Sequence, residues 1–314
     1  MRLWMRDLSI TFSNGKKKIT FGNNRKKGLP DFNINVQISK YMSPVKDEAT
    51  IRITNLTYYE IVTLMEGKFT DVEIKAGYKE TGSLPVFKGG VIYISNSLGN
   101  RKENTVIILC ASDLVAKYQS RLLNLSLNSG INIYSALNAI CKRAGIPNSN
   151  ISPQFKKEFV QNVLTVNSTA PDYFNSLLQK NGDYFANSDS VNGSSFSIYN
   201  VTNTTGRVIP LNNNFINLLG GYPQLTSEGL HITVTPTFNF VCGDTIKIEK
   251  SLINMGVSSN IVNSKTLGYY LDEDGLYTIY QMTYNLTNRD SDFSINMLCK
   301  SRKRLNKVLG GTNV

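Results

Sequence analysis

Catalysis in this chain would have to run through one histidine, four cysteines or a few crowded carboxylates. His231 lies in Gly229-Leu230-His231-Ile232-Thr233-Val234, where alternation with Ile232 and Val234 predicts a strand with the imidazole on its polar face. A Ser-His-Asp or Cys-His constellation would have no other base to use, and a multi-histidine metal site is excluded by count. Cys110, Cys141, Cys242 and Cys299 stand far apart in apolar surroundings, with no CxxC pair. That pattern fits free buried thiols in a reducing compartment, and not a disulfide framework or a zinc site. Asp272-Glu273-Asp274-Gly275 offers acids for a cation but lacks the alternating ligands and terminal glutamate of an EF-hand, so it reads as an acidic hairpin turn. Glu60, Glu66, Asp71 and Glu73 are crowded in sequence, but a glycosidase needs two carboxylates about 5 to 9 Å apart, and nothing in the spacing supplies them. Gly15-Lys16 lacks the preceding glycine and following hydroxyl of a phosphate loop. The expectation is a non-enzymatic protein with no metal and no cofactor.

The formal net charge is +11, and its placement matters more than its size. Lys16, Lys17, Lys18, Arg25, Lys26 and Lys27 crowd one end; Lys300, Arg302, Lys303, Arg304 and Lys307 crowd the other. The tyrosines that could stack on bases (Tyr269, Tyr270, Tyr277, Tyr280, Tyr284) lie among Thr, Gln and acids, away from both clusters. Specific nucleic-acid recognition is therefore not expected. Lys300, Arg302, Lys303, Arg304 and Lys307 read instead as a segment that docks on a partner. No apolar run reaches the length of about 18 residues that would suggest a membrane helix, and MRLWMRDLSITF has no signal-peptide core.

These side chains rest on a scaffold whose elements can be read from periodicity. Residues 49–95 carry a strand (Ile51, Ile53), a short helix (Ile61, Val62, Leu64, Met65) stopped at Gly67, and strands at Val72-Ile74-Ala76 and Val91-Tyr93-Ser95. Before them, Leu8-Ile10-Phe12 and Ile19-Thr20-Phe21 flank the turn Ser13-Asn14-Gly15, and Phe32, Ile34, Val36 and Ile38 alternate cleanly. TVIILC, residues 105–110, is a more fully apolar strand, Asp113 to Leu123 fits a short helix or an extended excursion, and the unit closes near residue 125. From there to 205 the pattern changes. Ile133, Tyr134, Leu137, Ile140, Cys141 and Ala144 form a helical stripe ended by Gly145, and Pro171 opens a second helix. Strands return in 206–300, and the tail 301–314 is basic. The fold class is mainly β with an α+β insert: two β-barrels, 1–125 and 206–300, flanking a small α/β domain, 126–205. The outer regions share an order of turn, strand, longer strand and apolar closing strand, as in TVIILC and FSINMLC.

The order of elements resembles the baseplate hub proteins of contractile-tailed bacteriophages and the N-terminal part of type VI secretion spikes. Three pieces carry it: ITNLTYYEIVTLMEGKFTDVEIKAGYKE with VFKGGVIYIS; INIYSALNAICKRAGI with PDYFNSLLQKNGDYFANSDSVNGSSFSIYNV; and GLHITVTPTFNFVCGDTIKIEK with GLYTIYQMTYNLTNRDSDF. The resemblance implies tube-like barrels and a homotrimer whose paired barrels make a pseudo-hexameric ring between a six-fold tail tube and a three-fold central spike. Tail tube protein, central spike protein, baseplate wedge and tape measure proteins are the implied partners. The implied location is the virion's tail baseplate, assembled in the host cytoplasm. Asn55, Leu56, Tyr58, Tyr59, Ile61, Leu64 and Met65 would lie at a subunit interface. Against the family's pattern the sequence is short, and a fused lysozyme domain is not expected from it. Such tubes have acidic lumens, so the basic ends are expected to point outward or axially. From other classes, the alternatives are a tail-associated cell-wall-degrading enzyme and a basic β-barrel that binds nucleic acid.

Overall fold

Alternating apolar residues dictate the first elements of the computed structural model, which describes residues 5–22, 32–43, 47–98, 104–118, 120–146, 149–180, 184–187, 196–200, 207–211, 222–226, 228–255 and 274–301. β1 (Arg6–Ser13) buries Leu8, Ile10 and Phe12 and turns into β2 (Lys18–Gly22). Gly15 takes φ +79° in that turn, a conformation glycine adopts without a Cβ penalty. β3 (Asn33–Tyr41) buries Ile34, Val36 and Ile38; β4 (Glu48–Thr54) buries Ala49, Ile51 and Ile53. α1 (Tyr58–Glu66) fills the crossover to β5 (Asp71–Tyr78), which is followed by β6 (Gly82–Leu98) and β7 (Asn104–Ser112). The strand order is β3-β4-β7-β6-β5-β1-β2.

β6 turns the corner of this unit. Its first half, residues 82–90, pairs with β5, and its second half, 89–98, pairs with β7. Gly89 and Gly90 sit at the changeover, where other chain segments come very close. A Cβ on Gly89 would stand 2.2 Å from the Ala111 carbonyl oxygen; one on Gly90 would stand 2.4 Å from Ala116 Cβ in α2 (Asp113–Tyr118).

The insert has its own core. It comprises β8 (Leu122–Leu127), α3 (Ile133–Ala144), β9 (Ser149–Ile151), β10 (Leu164–Thr169), α4 (Ala170–Lys180), β11 (Tyr184–Asn187) and β12 (Phe196–Asn200). α3 ends at Gly145 in the left-handed conformation, φ +80°, the stop expected from the sequence. Leu123, Leu137, Ile140, Phe155, Phe174 and Phe196 pack together, with Phe174 stacked on Phe196 at 4.2 Å between centroids. Asn192-Gly193, an Asn-Gly pair of the kind that joins two strands of a hairpin, lies outside the described residues.

The last region repeats the first. β13 (Val208–Leu211), β14 (Gln224–Leu225), β15 (Leu230–Val234), β16 (Thr245–Ile248), β17 (Asn254–Met255), β18 (Leu276–Thr287) and β19 (Phe293–Ser301) include the neighbour order β14-β15-β19-β18-β16. Every pairing in that series is antiparallel, as in β3-β4-β7-β6-β5. The match extends to single residues. β6 has a bulge between Val91 and Tyr93, opposite Leu109-Cys110; β18 has one between Ile279 and Gln281, opposite Leu298-Cys299. The Leu-Cys pairs of TVIILC and FSINMLC are thus equivalent positions.

The two outer regions are joined: β3 pairs with β18 from Gln281↔Tyr41 to Thr287↔Asn35, and one hydrophobic cluster runs from Leu8 to Cys299. One expectation is corrected. Tyr93 does not share the buried side of Val91, because the bulge at Ile92 shifts the alternation and leaves Ile92 and Tyr93 both exposed. Residues 212–219, whose sequence before Gly220-Gly221 leaves their element open, lie outside the described residues.

Gly89→Ala should destabilise the protein by about 1–3 kcal/mol, the usual cost of overpacking, because backbone at Ala111 must move. Urea unfolding measures this, and an unchanged midpoint would mean that the β6 corner is not sterically fixed.

Candidate assembly surface

α1 begins at a capping box. The Thr57 hydroxyl accepts from the Glu60 amide (3.3 Å) and the Glu60 carboxylate accepts from the Thr57 amide (2.7 Å). Leu56 and Ile61 occupy the flanking staple positions, and both are buried. At the other end Gly67 is required: a Cβ there would stand 2.2 Å from the Phe69 ring and 2.5 Å from the Thr63 carbonyl oxygen. These contacts fix the rotation of the helix about its axis. Ile61 and Leu64 face the core, so Tyr58, Val62 and Met65, at i, i+4 and i+7, form a second stripe pointing away. Tyr58 is 82% exposed, its neighbour Tyr59 79% and Met65 47%.

The seven expected interface residues therefore divide. Tyr58, Tyr59 and Met65 are on the surface; Leu56, Ile61 and Leu64 are part of the chain's own core and cannot meet a partner without unfolding the helix. Asn55 takes φ +70° in the turn before the cap. Of the expected docking cations, Lys300 is corrected: it is 8% exposed, and its Nζ lies 3.7 Å from the centre of the Tyr280 ring, a cation–π contact inside the β18–β19 pair. Arg302, Lys303, Arg304 and Lys307 lie outside the described residues.

A rigid hairpin tip adjoins the C-terminal end of α1. Asn14 Nδ2 donates to the Gly67 carbonyl (2.7 Å), while its Oδ1 accepts from the amides of Lys16 (3.2 Å) and Lys17 (2.8 Å). The Thr70 amide donates to the Ser13 carbonyl at 3.1 Å. Beside it, a cleft of about 240 Å³ is lined by Lys18, Asp71, Glu73, Lys88 and Asp113, among others. Lys117 lies 2.6 Å from Asp71 and 3.2 Å from Asp113. Burial pushes the Asp71 carboxyl up, but hydrogen bonds from Lys117 and Thr70 with the Lys117 charge outweigh it and leave the group below its ordinary value. Glu73 lies 3.5 Å from Lys75 and 3.3 Å from Lys88. Of the four crowded acids, Asp71 and Glu73 are thus ion-pair partners and Glu60 caps α1.

His231 projects from the exposed side of β15, with Glu228 Oε2 3.8 Å from its Nε2. Among the described residues no group of three or more His, Cys, Asp or Glu is placed to hold a metal, and no helix is long and apolar enough to cross a membrane. Asp272 and Glu273 lie outside the described residues; Asp274 is exposed. Two features escaped the sequence reading. One is an exposed apolar patch, Ile92 with the cross-strand pair Tyr93 and Leu109. The other is the Arg207–Asp244 ion pair, which holds a buried carboxylate that also accepts from the Val241 amide at 2.8 Å. The bulge gave no signal, and the ion-pair partners are 37 residues apart.

No family model and no curated protein matches the sequence. Solved structures do match the fold. The 43 kDa tail protein of prophage MuSo2 from Shewanella oneidensis is 10% identical with a TM-score of 0.58, covering 95% of this chain and 98% of that one. The tail protein from Neisseria meningitidis MC58 is 8% identical with a TM-score of 0.55, covering 96% and 98%. The E. coli c3393 protein is 10% identical with a TM-score of 0.54, covering 88% and 76%. It is a component of the type VI secretion system with structural similarity to the T4 bacteriophage tail proteins gp27 and gp5. At such identities the likeness is one of fold.

All four cysteines are free and buried. Burial pushes the Cys110 thiol up to about 12 and Cys141 to about 11, and raises Cys242 and Cys299 as well. A thiol raised on folding adds stability that is fully present below its unfolded value and is lost as pH rises towards the folded one. Stability should therefore decline from about pH 9 upward, where unfolded thiols ionise and folded ones do not. Native protein at pH 8 should resist a thiol-specific reagent until denaturant is added. Rapid labelling of the folded chain would contradict this burial.

Proposed function

We propose that the chain is a non-enzymatic structural subunit of a tail baseplate: a hub that joins a six-fold tail tube to a three-fold central spike. Three copies would form a ring whose six strand units imitate six-fold symmetry. The observation that carries this is the internal duplication, two equivalent five-strand orders in one chain with matching bulges. It occurs on a fold shared with proteins described as tail proteins and as a type VI secretion component. A duplicated unit lets half as many chains meet a ring of single units, which is what such an adapter requires. The outward stripe of α1 supplies a contact between copies, since exposed aromatics and methionine are enriched at protein interfaces. Tail tube, spike, wedge and tape measure proteins are the proposed partners. The proposed location is the tail of the virion, after assembly in the host cytoplasm.

The mass of the purified chain in solution should correspond to three copies. Tyr58→Ser with Met65→Ser should shift it towards one copy without lowering the melting temperature by more than a few degrees, because both side chains are exposed. A chain that stays monomeric at tens of micromolar would argue against a self-assembling ring, and trimers indifferent to the double variant would remove α1 from the interface.

A further inference from the structure

We propose that the lysine hairpin tip and the C-terminal end of α1 form a docking surface for an acidic segment of another protein. Lys16, Lys17 and Lys18 are consecutive and exposed, and Lys68, also exposed, follows the residue whose carbonyl Asn14 binds. No ion pair holds any of the four among the described residues. Three anchors immobilise the backbone that carries them: the Asn14 side chain, the Thr70–Ser13 hydrogen bond, and Phe69 buried against Phe12 at 6.3 Å between centroids. Lys18 lines the cleft that holds Asp71, Glu73 and Asp113, but Lys16, Lys17 and Lys68 do not. Because like charges repel, the ammonium groups of these three on a fixed backbone cost free energy that a mobile loop would avoid. An anionic partner would recover it with little further loss of chain entropy.

The repeat supplies an independent argument. In the second strand unit the crossover between β15 and β16, residues 235–244, contains no helix, and β13 runs parallel to β16 where β1 runs antiparallel to β5. The strand scaffold therefore forms without either the hairpin or α1. Their joint surface is an addition to it. The only nearby exposed acid on α1 is Glu66, while Asp71 is occupied by Lys117.

Protein is favoured over nucleic acid by the chemistry. The cations are all lysines, which lack the planar fork with which arginine grips phosphate. The aromatic ring inside the patch, Phe69, is buried and cannot stack on a base. The exposed tyrosines of α1, Tyr58 and Tyr59, stand at its opposite end, about 13 Å away along the helix.

Binding of the full chain to fluorescent poly-L-glutamate, followed by anisotropy between about 50 and about 300 mM salt, tests the proposal. Lys16→Glu, Lys17→Glu and Lys68→Glu together should weaken binding at low salt by about tenfold or more. A control triple with the same charge change, Lys79→Glu, Lys157→Glu and Lys247→Glu, should weaken it by less than about threefold. Equal losses in the two triples, or no binding by the unaltered chain, would overturn the proposal. So would tighter binding to a duplex or single-stranded oligonucleotide that the first triple abolishes, which would assign the patch to nucleic acid. None of these outcomes depends on the number of copies in the assembly, so failure here leaves the hub proposal standing.

Discussion

The molecule depends on how one strand edge is shared. β18 gives residues 276–278 to β16, its partner within the second strand unit, and residues 281–287 to β3, which belongs to the first. The bulge at Tyr280 separates the two stretches. Because backbone donors and acceptors must be paired when buried, this edge leaves the units no freedom to part without exposing a row of amides and carbonyls. Local bonds reinforce the seam. The Met42 amide donates to the Tyr280 carbonyl at 3.0 Å, Asn288 Oδ1 accepts from the Ile34 amide at 2.9 Å, and Lys40 lies over the Tyr284 ring at 5.8 Å. The insert hangs from this body between β7 and β13 with its own core and makes no part of the seam.

Much of this was legible in the sequence wherever one face of an element is buried and the other wet. β3, the Asn14-Gly15 hairpin, and α3 with its glycine stop follow from alternation, turn chemistry and a helical stripe. The duplication was visible as two apolar strands ending in Leu-Cys, which the bulges show to be equivalent. What could not be read depends on neighbours far away in the chain. The pairing of β3 with β18 joins residues some 240 positions apart, as in the Gln281–Tyr41 side-chain contact. A short apolar helix does not announce which of its stripes is covered, so Ile61 and Met65 looked alike. A lysine in a basic tail looks solvated unless the ring that covers it is known, as for Lys300 and Tyr280.

Ion pairs in this protein serve position more than stability. Those around Asp71 and Glu73 are partly exposed and screened by salt, and such pairs contribute little. Asp244 differs in being buried: two arginine nitrogens and a backbone amide converge on it, and they fix the segment entering β16 where the first unit uses a helix. The two units thus solve one connection in two ways, with a capped helix and with a clamped carboxylate.

That difference bears on how a closed ring of these chains would look from outside. Strands would recur twice per subunit and α1 once, so the same object would present two rotational symmetries. A partner that grips the sheets would count twice as many equivalent places as one that grips the helix. A helix carried by only one of two repeated units would be enough to let one ring meet neighbours of unlike symmetry.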